Sequence, residues 1–498
     1  MLEYLKKEAN KTLTENGALT YKSTESDCLD LFATIGALRS ADEERILDLF
    51  LRAYAENADL ALKTLFYGRD ARGGLGERRV FRIILKYLAF AEKKTVLKNL
   101  PYVAEFGRYD DLLVLLDTPC EKEVIELIRK QLEADLEALS VQKEISLLAK
   151  WLPSVNASDK EAVRMAQKLS KTLGMTDREY RKVLSKLRAA LRLTENSLRE
   201  KDYTFDYEKQ PSKAMYKYRG AFIRNDHDRY MNFLDDVAAG KTNLHTDNVM
   251  PYEILAPYMD YYNPRFDLDL YEDARKAADV TWNALPDFTA DSNAVVVADV
   301  SGSMYVPDDP DSVKPINVAV SLAIYFAERC KGAFHNHFIT FTTRPELVEL
   351  KGRDIVEKVR CCRDADWGGS TNLAKVFDLL LATARKNHLP QEELPSTLYI
   401  ISDMEFDSCM EGADMTNFEY AKKAFEANGY TLPNVVFWNV NSHRRQQPVT
   451  KDERGVALVS GCTPRIFAQV MPDGVGALTP YEYMLDVLGG ERYEKISA

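Results

Sequence analysis

The stretch VVVADVSGSM, residues 295–304, runs from small and β-branched residues into an acid and two serines spaced around a glycine. A short, continuous apolar run of this kind is typical of a strand buried on both faces of a parallel sheet. Asp299 is predicted to end the strand, and Ser301 and Ser303 to follow it in the loop. Ligands bind at the carboxyl ends of such strands, so the stretch predicts a ligand site there.

The C-terminal part of the chain repeats this pattern. After about residue 286, apolar β-rich runs alternate with helical segments. Further strands are predicted at HFITFTT, ELVEL, TLYIISD, VVFWNV and GVALVSG, and helices at about 315–330, 372–387, 416–428 and 464–471. Strands alternating with helices predict a doubly wound, mainly parallel sheet, which forms an α/β domain over residues 286–498.

Residues 1–285 follow a different pattern, with one apolar stripe after another at helical spacing. In EVIELIRKQLEADLEAL, for example, Val124, Ile125, Ile128 and Leu132 share one helix face. No β-alternation is evident before about residue 294. Many helices joined by short polar loops predict an α-helical repeat domain of the HEAT-like kind, with stacked pairs forming either a solenoid or a ring.

Bulk composition limits the class of protein. The chain has 498 residues, too many for one core, so we expect at least two domains. Seven cysteines without metal-ligand spacing indicate reduced thiols, and no apolar run or signal-peptide core is evident, so we expect a cytoplasmic protein without a membrane span. The net charge of −11 excludes a surface that is basic throughout, so any nucleic-acid site must be a local patch.

Oxygen-bearing side chains recur at two further places in the α/β half. Thr371 stands in DWGGSTNLAKVF just before a predicted helix, and Asp403 ends TLYIISD. Three hydroxyls and two carboxylates suit Mg²⁺ (or Mn²⁺), which prefers oxygen ligands. The predicted metal ligands are Asp299, Ser301, Ser303, Thr371 and Asp403. Two alternatives stay open: the residues cap loops, as Asp and Ser often do after strands, or the site is intact but holds no ion.

These residues resemble a known site in kind and chain order. Asp299-x-Ser301-x-Ser303, Thr371 and Asp403 resemble the metal-ion-dependent adhesion site (MIDAS) of von Willebrand factor A domains. A helical half before such a domain resembles the Ro ribonucleoprotein family, which joins a TROVE module to a von Willebrand A domain. MPYEILAPYMDYY (250–262) and residues 432–471 carry this likeness. FYGRDARGGLGERRVF (66–81) resembles a motif of a Ro-like sister family of unknown function.

The resemblance implies a monomeric, RNA-binding ribonucleoprotein component. It implies that the helical half holds single-stranded RNA ends or small noncoding RNA. It also implies Mg²⁺ or Mn²⁺ at the five residues, with an acidic residue of a partner protein completing the coordination or the ion stabilising the assembly.

Basic and aromatic residues that could bind RNA cluster in three stretches. Cations neutralise phosphates, and aromatic rings stack on unpaired bases. The candidates are Arg69 and Arg72 in a glycine-rich turn, Arg181, Lys182, Lys186, Arg188 and Arg192 on one predicted helix, and Lys213, Tyr216, Lys217, Tyr218, Arg219 and Arg224 on the next. The alternatives are solvated helix faces, core aromatics and, for the turn, a tight helix–helix connection.

Catalytic motifs are lacking in the sequence. It has no G-x-S-x-G, HExxH or adjacent Cys–His pair. A phosphoaspartate enzyme would require a second Asp where Ser301 stands, and Glu405 is interpreted as an acid outside the ligand set or on the surface. We therefore expect a binding protein, with RNA binding as the leading hypothesis. A metal-dependent protein-interaction module without nucleic acid is the second hypothesis, and a magnesium-dependent hydrolase the third.

Overall fold

The computed structural model describes residues 1–259, 272–289, 293–306, 313–342, 344–363, 371–409, 414–470 and 476–498. For residues 3 and 4 it describes the backbone only. Of the predicted strands, helices and motifs, residues 260–262, 343, 366–370 and 471 lie outside the described residues.

Helices dominate the first part of the chain, as predicted. The longest of those described, α8, buries Val124, Ile125, Ile128 and Leu132 as its spacing predicts. The helices are α1 (Leu2–Asn10), α2 (Asp27–Thr34), α3 (Glu43–Glu56), α4 (Ala58–Arg69), α5 (Arg79–Ala91), α6 (Lys93–Asn99), α7 (Val103–Phe106), α8 (Glu121–Ser140), α9 (Leu148–Trp151), α10 (Lys160–Thr172), α11 (Asp177–Ala190), α12 (Thr194–Glu200), α13 (Ser212–Asn225), α14 (His227–Ala238), α15 (Pro251–Met259) and α16 (Glu272–Asn283).

A small hairpin near the N-terminus corrects the expectation of no strands before residue 294. Strand β1 (Lys11–Leu13) pairs antiparallel with β2 (Leu19–Tyr21). Strands of three residues are too short to display a period of two, which is why the sequence did not reveal them. The turn of this hairpin, residues 14–18, lies against the C-terminal half.

The C-terminal half is built on a six-stranded sheet. Its strands are β3 (Ala294–Asp299), β4 (His337–Phe341), β5 (Leu347–Glu349), β6 (Thr397–Ser402), β7 (Asn434–Asn439) and β8 (Val456–Ser460), in the order β5-β4-β3-β6-β7-β8. Strand β5 pairs antiparallel with β4, and the other neighbours pair in parallel. All six predicted strands are present, which confirms an α-helical part followed by an α/β part.

Helices follow the strands along the chain. They are α17 (Pro315–Arg329), α18 (Ile355–Arg363), α19 (Leu373–Asn387), α20 (Asn417–Ala427), α21 (Arg465–Gln469) and α22 (Pro480–Gly489). Helices α18 and α22 were not predicted. Among the described residues, no helix is long and apolar enough to cross a membrane.

The strand order reverses beside β3. From β3 the chain moves to β4 on one side and returns to β6 on the other. Ligand sites of doubly wound sheets lie at such a reversal, outside the carboxyl ends of the strands. Asp299 ends β3 and Asp403 follows β6, so the topology brings both carboxylates to this position.

The helical part and the sheet share an apolar core. Just after α2, the Gly36 N–H donates to Ser460 Oγ at 3.0 Å, and a Cβ on Gly36 would lie 2.6 Å from the Ser460 carbonyl. Near the other end of the chain, Arg492 Nη2 and Tyr493 Oη donate to the buried Asp70 at 2.7 and 3.1 Å. The two halves are therefore held together by apolar and polar contacts.

Candidate metal centre and RNA-binding cleft

Asp299 organises the loop that follows β3. Its carboxylate is fully buried, and Oδ1 accepts a hydrogen bond from the Ser301 N–H at 2.9 Å while Oδ2 accepts from Ser402 Oγ at 2.5 Å. The Ser301 and Ser303 hydroxyl oxygens are 3.1 Å apart. The end of β3 thus places two hydroxyls next to a carboxylate.

Asp403 brings a second buried carboxylate to the same place. Its Oδ1 accepts from the Glu405 N–H at 3.1 Å. Its Oδ2 is buried and has no hydrogen-bond partner among the described residues, and His443 Nε2 lies 3.4 Å away. Burial, and then the charge of Asp403, raise the pKa of Asp299. Two carboxylates that repel each other in a buried site would both be stabilised by a cation.

Thr371 joins this group through the segment after β6. Its N–H donates to Asp407 Oδ2 at 3.0 Å, and its hydroxyl lies 2.8 Å from the Glu405 carbonyl oxygen and 3.0 Å from Asp407 Oδ1. The N–H of Glu405 bonds Asp403, so a continuous chain of contacts connects Thr371 to Asp403. The five predicted ligands thus lie in one connected region, and their role as ligands stays a prediction.

The N-terminal hairpin forms one wall of this region, and no sequence pattern predicts this placement. Thr14 Oγ1 donates to the Phe406 carbonyl at 2.6 Å, and the Glu15 N–H donates to Glu405 Oε2 at 2.6 Å. Asn16 Nδ2 donates both to Thr371 Oγ1 at 2.9 Å and to the Glu405 carbonyl at 2.7 Å. Glu405 is itself buried, so it is not a surface acid.

A loop after β7 forms another wall. His443 lies there, and its ion pair with Asp403 raises the pKa of the imidazole. Arg45 of α3 fixes the loop by donating to the carbonyls of Ser442, His443 and Arg444 at 2.6, 2.6 and 2.8 Å. His443 could have been found from the sequence, because it follows a strand that is parallel to β6 and next to it.

The donors in this region fit a hard divalent cation. Two carboxylates and three hydroxyls are the oxygen types that Mg²⁺ accepts, and no described residue donates a hydrogen bond to the buried Asp403 Oδ2. Within the described ranges, no three His, Cys, Asp or Glu side chains form a metal-binding group. An ion bound here would therefore depend on the hydroxyls and on water as well as on the two carboxylates.

A separate cleft of about 1320 Å³ opens in the helical half beside α11 and α12. The predicted RNA-binding residues Arg181, Arg188 and Arg192 line it, and Lys182 and Lys186 lie exposed on α11. The charged residues of its lining are Lys150, Arg181, Arg188, Arg192, Arg199 and Lys209, with Glu195, Glu200, Asp202 and Asp206. Six cations against four carboxylates make the lining basic in a protein that is acidic as a whole.

Arg188 has a structural role within this lining. Its guanidinium donates to the carbonyls of Ala149 and Leu152 at 2.7 and 2.6 Å and to Ser154 Oγ at 2.6 Å. These contacts satisfy carbonyls at the end of α9, which would otherwise lack partners. Arg188 is therefore held by the protein, whereas Arg181 and Arg192 are exposed.

The first residues of α13 pack against α15. Lys213 pairs with the Glu253 carboxylate, and Tyr216 Oη donates to the Glu253 carbonyl at 2.6 Å. The Arg219 guanidinium lies 4.0 Å from the centre of the Tyr216 ring. A ring that is already covered by a cation is poorly placed to stack on a base, so Tyr216 and Arg219 act mainly as packing residues here.

Other residues of α13 lie nearer the cleft or in solvent. Tyr218 Oη donates at 3.3 Å to Glu195, a cleft residue, and Lys217 lies 5.2 Å from the Tyr218 ring centre. Lys217 and Arg224 are exposed. These three residues remain candidates for contacts at the edge of the cleft.

The glycine-rich turn after α4 packs against both halves of the protein. Arg69 is buried and its Nε donates to Asp111 Oδ2 at 2.8 Å, which takes this predicted RNA-binding residue out of reach of a ligand. Arg72 is exposed, but its Nη1 donates to the Glu105 carbonyl at 2.9 Å. Gln469 Nε2, from α21, donates to the Gly73 carbonyl at 3.1 Å. The turn thus connects the two halves.

Comparison with known proteins gives the class of protein. A family model described as a domain of unknown function (DUF2828) matches residues 14–127 and 122–293, together more than half of the chain, and another (DUF7788) matches residues 293–481. The chain therefore belongs to the DUF2828 family.

The chain is also similar to one further protein sequence and to one solved structure. The chain is 32% identical over 521 residues to "Uncharacterized protein L728" of Acanthamoeba polyphaga mimivirus, covering 96% of this chain and 87% of that protein. Among solved structures, the Ro protein (RSR) of Deinococcus radiodurans matches with 15% identity over 93% of both chains and a TM-score of 0.37. A TM-score this low carries no argument about fold or function.

Proposed function

We propose that this chain is a Ro-like RNA-binding protein that holds single-stranded RNA in the cleft beside α11. The supporting observation is the cleft itself, about 1320 Å³ in volume, next to four exposed cations of one stretch. They are Arg181, Lys182, Lys186 and Arg192. Cations grouped along a groove attract a phosphodiester backbone, and the acidity of the rest of the protein disfavours binding elsewhere.

Features of the lining favour a single strand over a duplex. Phe205 is half-buried at the cleft and offers a ring on which an unpaired base can stack. Four carboxylates share the lining, so it is not the broad basic surface that suits a duplex backbone. We extend the proposal to a cytoplasmic monomer, which follows from the resemblance to Ro proteins.

The second part of the proposal is a divalent metal site of the von Willebrand factor A kind. Asp299, Ser301, Ser303, Thr371 and Asp403 would hold Mg²⁺ or Mn²⁺. The ion would neutralise two buried carboxylates and offer a coordination position to an acidic group of a partner protein. We propose a binding role without catalysis, and turnover of any member of a panel of phosphodiester substrates by the Mg²⁺-loaded protein would contradict it.

The RNA-binding proposal is tested by fluorescence anisotropy with a labelled single-stranded RNA of about 12 nucleotides. The test variant replaces Arg181, Lys182, Lys186 and Arg192 with Gln. The matched control replaces four exposed cations of the C-terminal half with Gln: Arg385, Lys386, Lys423 and Arg454. Weaker binding by the test variant alone supports the cleft, whereas equal binding by all three proteins rejects it.

The second candidate function is a protein-interaction module that binds no nucleic acid. Exposed apolar residues beside the loop that follows β3 favour this function. Tyr305 and Val306 are 49% and 52% exposed, directly after the loop that carries Ser301 and Ser303. An apolar rim beside a cation suits a partner that presents an acid among apolar residues. In this case a pull-down would lose its partners on chelation or with Asp299→Ala, and nuclease treatment would change nothing.

A further inference from the structure

The turn of the N-terminal hairpin, residues 14–18, lies directly on the candidate metal centre. Three residues of the turn, Thr14, Glu15 and Asn16, form hydrogen bonds with the segment that follows β6. Of these, the bond of Asn16 Nδ2 to Thr371 Oγ1, at 2.9 Å, touches a predicted ligand atom. The tip of the turn, residues 15–17, is exposed on its other side.

The atoms around the Thr371 hydroxyl determine whether the contact with Asn16 affects cation binding. A hydroxyl has one proton to donate and two lone pairs. Among the described residues, three atoms surround it: Asn16 Nδ2 at 2.9 Å, the Glu405 carbonyl at 2.8 Å and Asp407 Oδ1 at 3.0 Å. Asn16 must donate here, because the same nitrogen also lies 2.7 Å from the Glu405 carbonyl oxygen. With the turn in place, Asn16 takes one of the two lone pairs, and the Glu405 and Asp407 oxygens share the single proton, so protein atoms hold the hydroxyl on three sides.

We propose that the docked turn competes with direct ligation of a cation by Thr371, because Asn16 holds a lone pair of this hydroxyl, and that the hairpin is therefore an intramolecular gate on the metal centre. This inference rests on the metal site proposed above. The two events compete, so the turn lowers the affinity for the cation, and a bound cation loosens the turn to the same extent.

The base of the hairpin is anchored away from the metal centre. Asn10 Nδ2 donates to the Ser23 carbonyl at 2.9 Å, and Tyr21 exchanges backbone hydrogen bonds with Gln447 at 3.0 and 2.8 Å. The tip of the turn can therefore lift while the base stays attached. Asn10→Ala is a matched control, since it removes an asparagine contact from the same hairpin without touching Thr371.

Mn²⁺ alone is the probe, and its free concentration is followed by electron paramagnetic resonance during titration of the full chain. Asn16→Ala is expected to bind Mn²⁺ about five- to one-hundred-fold more tightly than wild type, the equivalent of the two hydrogen bonds that Asn16 donates. Asn10→Ala is expected to match wild type. In a Thr371→Val background the Asn16→Ala gain should disappear, because the hydroxyl that the turn occupies is gone.

Hydrogen exchange provides a second measurement. Mn²⁺ is expected to speed exchange at the Glu15 amide, which the docked turn protects through Glu405. If wild type binds Mn²⁺ and Asp299→Ala does not, an equal or lower affinity of Asn16→Ala overturns the gate and leaves the metal site intact. If wild type and Asp299→Ala are equally unable to bind, the metal site fails and the gate with it.

Discussion

The dependence of RNA affinity on salt measures how many cations meet phosphates. Two exposed cations line the cleft, Arg181 and Arg192, and two more, Lys182 and Lys186, lie exposed on the same stretch. Each phosphate contact to a single strand contributes about −0.7 to the slope of log K against log salt, so four contribute about −2.8. A rise from about 50 to about 200 mM salt then weakens binding about 50-fold through these residues alone.

Replacing the four cations with Gln should remove this contribution. The slope is measured by anisotropy at several salt concentrations, and the variant should be less steep than wild type by about 2.8. The control variant at Arg385, Lys386, Lys423 and Arg454 should keep the wild-type slope. An unchanged slope in the cleft variant would refute the reasoning, since these cations would then meet no phosphate.

Further predictions concern stability and metal binding. Arg188→Ala should cost about 2–3 kcal/mol in urea unfolding, because it leaves carbonyls of α9 without donors, and the salt slope of RNA binding should hardly move. Asp111→Ala should cost about 3–5 kcal/mol, since it leaves the buried Arg69 without its partner, and a loss under 1 kcal/mol would contradict that pairing. Burial raises the pKa of Asp30 from 3.8 to about 6, so the folded state holds a proton that the unfolded state releases. Wild type should therefore lose about 2.4 kcal/mol of unfolding free energy relative to Asp30→Asn as pH rises from 4 to 7, and an equal pH dependence of the two proteins would contradict this. Mg²⁺ at about 100 times its Kd should stabilise wild type by about 2.7 kcal/mol in thermal unfolding and leave Asp299→Ala unchanged.

Much of the fold could be predicted because its signals are local. Strands buried on both faces, such as β3 and β6, read as unbroken apolar runs, and long helices such as α8 display their stripes. The hairpin β1–β2 could not be predicted, since three-residue strands carry no period and depend on distant contacts such as that of Tyr21 with Gln447. Propensity and pattern report the local preference of a segment, whereas the pairing of β1 with β2 depends on tertiary contacts.

Some residues of the candidate sites could likewise be predicted from the sequence, and others could not. Asp299 and Asp403 were found because the ends of parallel strands must meet at one edge. Asn16 could not have been found, because its contact with Thr371 spans most of the chain. Among the basic residues, Arg69 resembled an exposed cation until the structure showed it buried on Asp111. Sequence gives charge and spacing, and only packing decides which cations face solvent.

The most direct test of the central claim is ultraviolet crosslinking of the full chain to RNA in cells, followed by mass spectrometry of the peptides that carry nucleotides. We predict crosslinked nucleotides on peptides from residues 181–211, a stretch that supplies most of the cleft lining. They should be lost in the variant with Gln at Arg181, Lys182, Lys186 and Arg192. RNA recovery from wild type no greater than from that variant, or crosslinks confined to the sheet half, would contradict the claim.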